Sequence, residues 1–192
     1  LVLTWNNTSL YTWGFLDLKK DGPTVVEVPP GVLGVFNDMY FRYIADIGAA
    51  GQDKGKGGKY LFLPPGYKEK TPGGYFAIQS PSYRIWVMMR GFGEVALGEQ
   101  AVAWFRQRLK VYPMSTGPRE ARFTNATGVG INPLPAEDGS VFEMLNEIIQ
   151  HEPKELFGAE QRGRLASLGI EKGKPFAPDA RMTKIFEGGQ AG

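Results

Sequence analysis

Short runs of alternating apolar and polar positions fill the N-terminal half of the chain, and glycine and proline separate them. A period of two is typical of a strand that has one face in a core and the other in wetter surroundings. The clearest runs are LYTWGFLDL, TVVEV, KYLFL, GYFAIQS and SYRIWVMMRGF. Short strands with such punctuation predict a β-sandwich or barrel rather than a parallel α/β sheet.

The run VLGVFNDMYFRYIADIG, residues 32–48, is interpreted as one long strand. Its odd positions from Leu33 to Ile47 are almost all apolar and are predicted to face the core, whereas its even positions mix charge with aromatic rings. A helix is the alternative, because Asp38, Arg42 and Asp46 are also spaced four residues apart. The aromatic and β-branched content favours the strand.

From Gly93 onwards the pattern becomes helical. The run GEQAVAWFRQRLKVYP predicts a helix that ends at Pro113, with one apolar stripe of Ala101, Phe105, Leu109 and Tyr112. The following segment is irregular, with one possible strand at 121–124. Three helices are then predicted: one opened by a Ser140–Glu143 capping box, one over 154–168, and a short one capped by Asp179.

These patterns predict a mainly β fold with helices. Residues 1–92 form a sandwich, residues 93–139 a helix and an irregular connection packed on it, and residues 140–192 a helical segment. The chain begins with LVLTWNN, without methionine or a basic-then-apolar leader, and we therefore expect a fragment or a processed form.

Composition excludes several kinds of chemistry. The 192 residues carry 22 Lys+Arg against 20 Asp+Glu, so a net charge of +2 gives no reason to expect nucleic-acid or membrane-surface binding. No run approaches the ~18 apolar residues of a membrane span. The chain has no cysteine and one histidine, His151, whose place before Pro153 favours a helix-capping role. We therefore predict no metal site and no cofactor.

The stretch GQDKGKGGKY, residues 51–60, raises the question of a phosphate-binding loop. A loop of that type needs G-x-x-x-x-G-K-[ST] between a strand and a helix. Here Tyr60 takes the hydroxyl position, Asp53 replaces the first glycine, and a strand follows. The stretch is interpreted as a flexible solvated hairpin loop, with an anion-binding glycine nest as the second alternative.

Two groups of side chains are candidate sites. Asp38, Tyr40, Arg42 and Asp46 form a polar row that could bind a polar ligand or supply a general acid–base pair; the alternative is a structural ion pair with Tyr40 as filler. Trp86 and Trp104 lie in apolar patterns and are assigned to the core. The remaining tryptophans could stack on sugars, and the ligand-binding candidates are Trp5, Asn6, Tyr11 and Trp13.

Six stretches, taken in order, resemble the bacterial domain-of-unknown-function family 1254. They are NNTSLYTWGFLDL, GPTVVEVPPG, VFNDMYFRYIADIG, GKYLFLPPGYK, SPSYRIWVMMRGF and LGIEKGKPFAPDARM. The resemblance spans residues 6–186. It departs from the family at one point: in the N-x-D-T-L-Y pattern, Thr8 occupies the acidic position, so any ligand contact of that carboxylate would be lost here.

The resemblance implies a jelly-roll-like β-sandwich, truncated here at its N-terminal side, followed by a helical C-terminal segment that is expected to lead into a second domain missing from this sequence. It also implies a second β domain, of family 1214, that follows this region in full-length relatives, and a periplasmic or extracellular location. It implies no agreed activity.

Three functional hypotheses follow. The first is a non-enzymatic module of an exported two-domain protein that forms a homo-oligomer or binds a polymer or small ligand, because open sandwich edges usually need a cover. The second is an extracytoplasmic hydrolase or lyase that uses the Asp38–Asp46 polar row. The third is saccharide binding through Trp5 and Trp13.

Overall fold

The structure, a computed structural model, describes residues 9–91, 98–130 and 134–188. The chain divides into two compact units, with the boundary in the sequence between Ala126 and Thr127. We call the unit that ends at Ala126 the first unit and the other the second unit.

The first unit contains two four-stranded sheets. The first sheet is antiparallel throughout, in the order β1 (Tyr11–Asp17), β7 (Arg84–Gly91), β3 (Val32–Asp38), β4 (Tyr43–Ile47). The second sheet has the order β6 (Phe76–Gln79), β5 (Gly58–Leu63), β2 (Thr24–Val28), β8 (Lys110–Pro113), and only its β5–β6 pair is parallel. Two helices accompany them, α1 (Leu18–Asp21) and α2 (Gly98–Arg108). The predicted sandwich-like fold is confirmed.

The core lies between the two sheets. Phe36 of the first sheet places its ring centroid 4.5 Å from that of Phe62 and 5.3 Å from that of Tyr60, both in the second sheet. All three side chains are fully buried. Burial of one such ring stabilises the fold by about 2–3 kcal/mol, so these contacts hold the sheets face to face.

A smaller apolar cluster covers the other side of the second sheet. It joins Val25, Leu61, Leu63 and Tyr112, with Tyr67, Tyr75 and Met114 packed against it. Because β2 and β5 are buried on both faces, TVVEV and KYLFL are nearly continuous apolar runs.

Residues 32–48 form a hairpin, and the prediction of one long strand is wrong. The turn at residues 39–42 is closed by Asp38 N–H, which donates to the Arg42 carbonyl at 2.9 Å. The predicted faces are also wrong for β3, where Phe36 and Asp38 are buried and Leu33 is exposed. The turn, and a shift of register between β3 and β4 at Phe36/Asn37, interrupt the alternation of inward and outward side chains. A single period of two therefore does not describe both strands.

Two further corrections concern residues 98–126. The helix ends at Arg108, and residues 110–113 form β8 against β2 instead of a last helical turn. The ladder of β2 offers these residues hydrogen bonds that the sequence pattern does not reveal. The possible strand at 121–124 does not form.

The second unit contains α3 (Ser140–His151), a 3-10 turn (Lys154–Leu156), α4 (Ala159–Ser167) and α5 (Ala180–Gly188). Asp179 caps α5 as predicted, since its carboxylate accepts from Met182 N–H at 2.7 Å. The Ser140–Glu143 capping box is absent, because the carboxylate of Asp138 accepts from Ser140 N–H at 3.0 Å instead. The single helix predicted over 154–168 is divided into the 3-10 turn and α4.

In the second unit the rings of Phe142 and Phe186 stack with centroids 3.9 Å apart, which joins α3 to α5. Within the described ranges, no helix combines the length and the apolar character that crossing a membrane requires. The role of residues 140–192 as a link to a further domain stays a prediction.

Candidate functional site

The outward side of the first sheet carries three rows of residues that lie directly opposite one another across its strands. The first row is Phe15, Trp86, Asn37 and Tyr43; the second is Trp13, Met88, Val35 and Asp46; the third is Tyr11, Arg90 and Leu33. Register partners in a sheet point to the same side. We call this surface, together with Phe41 in the β3–β4 turn, the aromatic face.

Large rings on the aromatic face are open to solvent. Trp13 is 45% exposed, Phe15 63% and Tyr43 65%. Phe41 is 61% exposed, and its ring lies 5.2 Å from that of half-buried Trp86. Exposed apolar patches are typical of interaction sites, so the aromatic face is the candidate site.

The aromatic face arises because strand β1 carries large apolar residues on both of its sides. In β1, Leu16 is buried in the core, while Trp13 and Phe15 point outward. A sheet with one solvated side would place polar residues at those outward positions. The aromatic residues there are therefore not explained by the core.

Charged side chains of both signs accompany the rings. Arg84 lies opposite Asp17 in the β1–β7 ladder. The Arg90 guanidinium lies 5.7 Å from the ring centroid of Tyr11. Tyr43 O–H donates to the Asp46 carboxylate at 3.3 Å.

The polar row predicted from the sequence is only partly assembled. The buried Asp38 carboxylate accepts from Tyr40 N–H at 2.7 Å, from Arg42 N–H at 2.9 Å and from Arg42 Nε at 2.5 Å. The Arg42 guanidinium lies 5.6 Å from the Tyr40 ring centroid. Asp46 is on β4 beside Tyr43 and does not join this group. The contacts of Asp38 are those of a residue that fixes its own hairpin turn.

Two of the four ligand-binding candidates, Tyr11 and Trp13, lie on the aromatic face. Trp5 and Asn6 lie outside the described residues, as does Thr8. Trp86 belongs to the outward rows, so its assignment to the core was wrong, whereas Trp104 packs against the core cluster as predicted.

Sequence reasoning missed Phe15, Phe41 and Tyr43 as members of a surface. One signal was available for the first of these: in LYTWGFLDL, outward and inward positions are both apolar. Nothing in the sequence indicated Phe41 or Tyr43, because the turn between them was not recognised.

The glycine–lysine stretch forms a turn that leads directly into β5 at Gly58, and no helix follows it. The buried Asp53 carboxylate accepts from Gly48 N–H at 2.8 Å, Gly57 N–H at 3.1 Å and Tyr60 O–H at 2.7 Å. Lys54 and Lys56 are exposed as predicted. The backbone of the loop is nevertheless held by a buried carboxylate, so it is not the merely solvated connector that was predicted.

Across the described ranges, no group of three or more acidic or histidine side chains is placed to hold a metal ion. The aromatic face is suited to binding through its exposed rings, and Asp46 is the only acidic residue in its three rows.

The first unit is thus a β-sandwich-like module of two four-stranded sheets, with an exposed aromatic face on one of them. Its family follows from comparison of the sequence. The model of the family described as "Protein of unknown function (DUF1254)" matches residues 1–113, more than half of the chain, and the chain belongs to this family.

The fold is similar to the crystal structure of the VPA0106 protein from Vibrio parahaemolyticus, with a TM-score of 0.66 and 18% sequence identity. The similarity covers 98% of this chain and 48% of that one, so the chain spans about half the length of the solved protein. Identity this low shows the fold alone. No curated protein matches the sequence.

Proposed function

We propose that the protein is a non-catalytic module that associates with a second copy of itself through the aromatic face. The observation that carries this proposal is the exposure of four large rings, Trp13, Phe15, Phe41 and Tyr43, on one side of one sheet. Removing these rings from water on association is the main stabilising contribution.

The composition of the aromatic face supports a protein partner. Aromatic residues, methionine and arginine are enriched in the buried part of protein interfaces, and lysine is depleted. None of the register positions of this face is a lysine, although the described part of the chain has many lysines elsewhere.

The charge of the aromatic face supports a second copy as that partner. Within its three rows the aromatic face carries one arginine, Arg90, and one aspartate, Asp46, so two copies can meet without net repulsion. A twofold arrangement that brings Arg90 of one copy near Asp46 of the other would favour encounter and correct register.

The size of the aromatic face sets the expected strength. Four strands about 4.8 Å apart and seven residues of about 3.3 Å rise give a projected area of roughly 440 Å². Standard interfaces remove about 800 Å² of accessible surface from each partner. We therefore expect a reversible dimer that dissociates on dilution.

Size-exclusion chromatography with light scattering over a concentration series tests the proposal. The unmodified chain should move from monomer towards dimer mass as concentration rises. The double variant Phe15→Ser/Tyr43→Ser should stay monomeric, since it removes two of the exposed rings. A wild-type monomer at all concentrations, or a double variant that dimerises normally, would contradict the proposal.

A matched control is available in the second unit. Val129 and Leu134 are 59% and 65% exposed, so Val129→Ser/Leu134→Ser removes a comparable exposed apolar surface elsewhere. This control should dimerise like the wild type. Circular dichroism of each variant distinguishes loss of association from loss of folding.

The other hypotheses remain predictions. Saccharide binding through Trp5 and Trp13 would appear as a change of tryptophan fluorescence with a panel of oligosaccharides. The hydrolase or lyase alternative has little support from Asp38, whose carboxylate is occupied by its own turn.

We also propose that the module is exported and works beside a second β domain. The family resemblance supports both statements, and the greater length of the solved neighbour agrees with the second. The complete reading frame would test them by revealing a leader and the domain that follows.

A further inference from the structure

A cleft of about 340 Å³ lies on the second sheet, opposite to the side that faces the core. Its polar lining comes from Glu27, Lys59, Gln107, Arg108 and Lys110, and Pro29 and Pro30 supply apolar wall. We call it the charged cleft. It is shallow and open to solvent, so a ligand there would be held mainly by the charged side chains around it.

The strand register builds the charged cleft. Glu27 of β2 lies directly opposite Lys59 of β5 on one side and Lys110 of β8 on the other. These three side chains therefore form one row across three strands. Because α2 ends at Arg108, two residues before β8 begins, Gln107 and Arg108 reach the same cleft.

Glu27 is held in place by two neighbours. Tyr112 O–H donates to Glu27 Oε1 at 2.5 Å, and Lys59 Nζ lies 3.3 Å from the same oxygen. Burial alone would raise the pKa of Glu27, but the hydrogen bonds from Tyr112 and Lys59 and the charges of Lys59 and Lys110 outweigh it and lower that pKa. The carboxylate is therefore ionised at neutral pH and offsets one of the three cations.

One carboxylate faces three cations, so the charged cleft keeps an excess of positive charge. Within the described ranges, neither Lys110 nor Arg108 forms an ion pair. The Arg108 guanidinium lies 5.1 Å from the ring centroid of Trp104, which orients it. Lysine and arginine side chains that line the same cleft attract an oxyanion and can donate charge-assisted hydrogen bonds to it.

We propose that the charged cleft binds a small organic oxyanion, with a carboxylate or phosphate group between Lys110 and Arg108. Glu27 can accept a hydrogen bond from a hydroxyl of the same ligand, and the Gln107 amide can donate or accept one. The chemistry thus fits a hydroxylated acid of roughly 10–15 non-hydrogen atoms. This site lies on the sheet that does not carry the aromatic face, and it does not depend on self-association.

Isothermal titration calorimetry with D-glucuronate and with inorganic phosphate tests this inference, with D-glucose as the uncharged control. Sodium chloride keeps the ionic strength constant throughout. The wild type should bind at least one of the two anions and not glucose. If phosphate binds and glucuronate does not, the anionic group alone is sufficient for binding. If glucuronate binds and phosphate does not, the hydroxyl groups of the ligand contribute.

The double variant Arg108→Gln/Lys110→Gln should bind about a hundredfold more weakly, because a hydrogen bond to a charged group is worth on the order of tenfold in affinity. The matched control is Lys20→Gln/Arg106→Gln, which makes the same change of net charge at exposed positions outside the cleft. It should bind within about twofold of the wild type.

Three results would overturn the inference. The first is that the wild type binds neither anion, and the second is that the Arg108/Lys110 variant binds as tightly as the wild type. The third is that the Lys20/Arg106 control loses as much affinity as the Arg108/Lys110 variant, because the anion would then respond to the net charge of the protein and not to the cleft. Thermal unfolding of each variant reports folding. If the double variant is unfolded, the single Arg108→Gln substitution on the exposed helix end provides the same comparison against Arg106→Gln.

Discussion

At the scale of single residues, the Asp53–Tyr60 pair organises the loop before β5. Tyr60 is fully buried, and its single hydroxyl proton is donated to Asp53 Oδ1 at 2.7 Å, with the Asp46 carbonyl oxygen as the weaker second acceptor at 3.1 Å. The other contacts of Asp53 bind loop amides. One buried carboxylate thus substitutes for the regular hydrogen bonding that the glycine-rich segment lacks.

This pair predicts a loss of stability at high pH. Burial, followed by the hydrogen bond to Asp53 and its charge, raises the pKa of Tyr60 above its usual range. In the unfolded chain a tyrosine loses its proton near pH ~10, while folded Tyr60 keeps it. The unfolded state then binds fewer protons, so the free energy of unfolding falls as pH rises above ~10, by about 1 kcal/mol per pH unit from this residue.

Urea unfolding of the wild type and of Tyr60→Phe at pH 8 to 11 measures this contribution. The Tyr60→Phe variant should be less stable at pH 8 and should lose less stability as pH rises. Tyr43→Phe, which removes an exposed hydroxyl, should follow the wild-type slope. Parallel curves for the wild type and Tyr60→Phe would refute the assignment.

At the scale of elements, the strands could be predicted because apolar alternation and Gly/Pro punctuation are local signals. The β3–β4 turn could not, because MYFR contains no glycine, proline or asparagine. Phe41 adopts φ +60°, a left-handed conformation that glycine usually supplies. The hydrogen bonds of Asp38 hold it there, and such a compensation depends on the folded hairpin.

The left-handed conformation of Phe41 predicts that a glycine at this position gives a more stable protein than an alanine. Phe41→Gly and Phe41→Ala both lose the ring contact with Trp86, but only glycine adopts the turn conformation without a steric cost. We expect Phe41→Gly to be about 1 kcal/mol more stable than Phe41→Ala in chemical denaturation. Met39, whose φ is not positive, provides the control: Met39→Ala should be more stable than Met39→Gly. If the glycine variant is the more stable one at both positions, backbone strain at Phe41 is not the cause.

The candidate site could be predicted only in part, and only from signals within single strands. Tyr11 and Trp13 were identified because tryptophan and tyrosine in an N-terminal strand need not belong to the core. Phe15 and Tyr43 were missed, because the side of a strand that is covered depends on which sheets pack together. The charged cleft combines three strands and a helix end, and only the strand register reveals it.

At the scale of the whole molecule, the two units are unequal. Both sheets, the core and the smaller apolar cluster all lie in the first unit. The second unit depends on helix contacts such as the Phe142–Phe186 stack. The first unit therefore contains what a domain needs to fold independently.

We predict that residues 1–126 fold alone. This truncated chain should unfold in one cooperative thermal transition, with a midpoint within a few degrees of the corresponding transition of the full chain, because no core residue of either cluster is removed. Differential scanning calorimetry of both chains measures this. A broad, non-cooperative transition in residues 1–126 would show that the second unit is required.

The sandwich has two outer surfaces, and they differ in chemistry. If two copies join through their aromatic faces, the charged clefts of the pair point in opposite directions. The dimer would then be a bivalent receptor, able to link two separate molecules that each carry an acidic group. A single polymer would gain affinity from both clefts only if it were long enough to reach around the dimer.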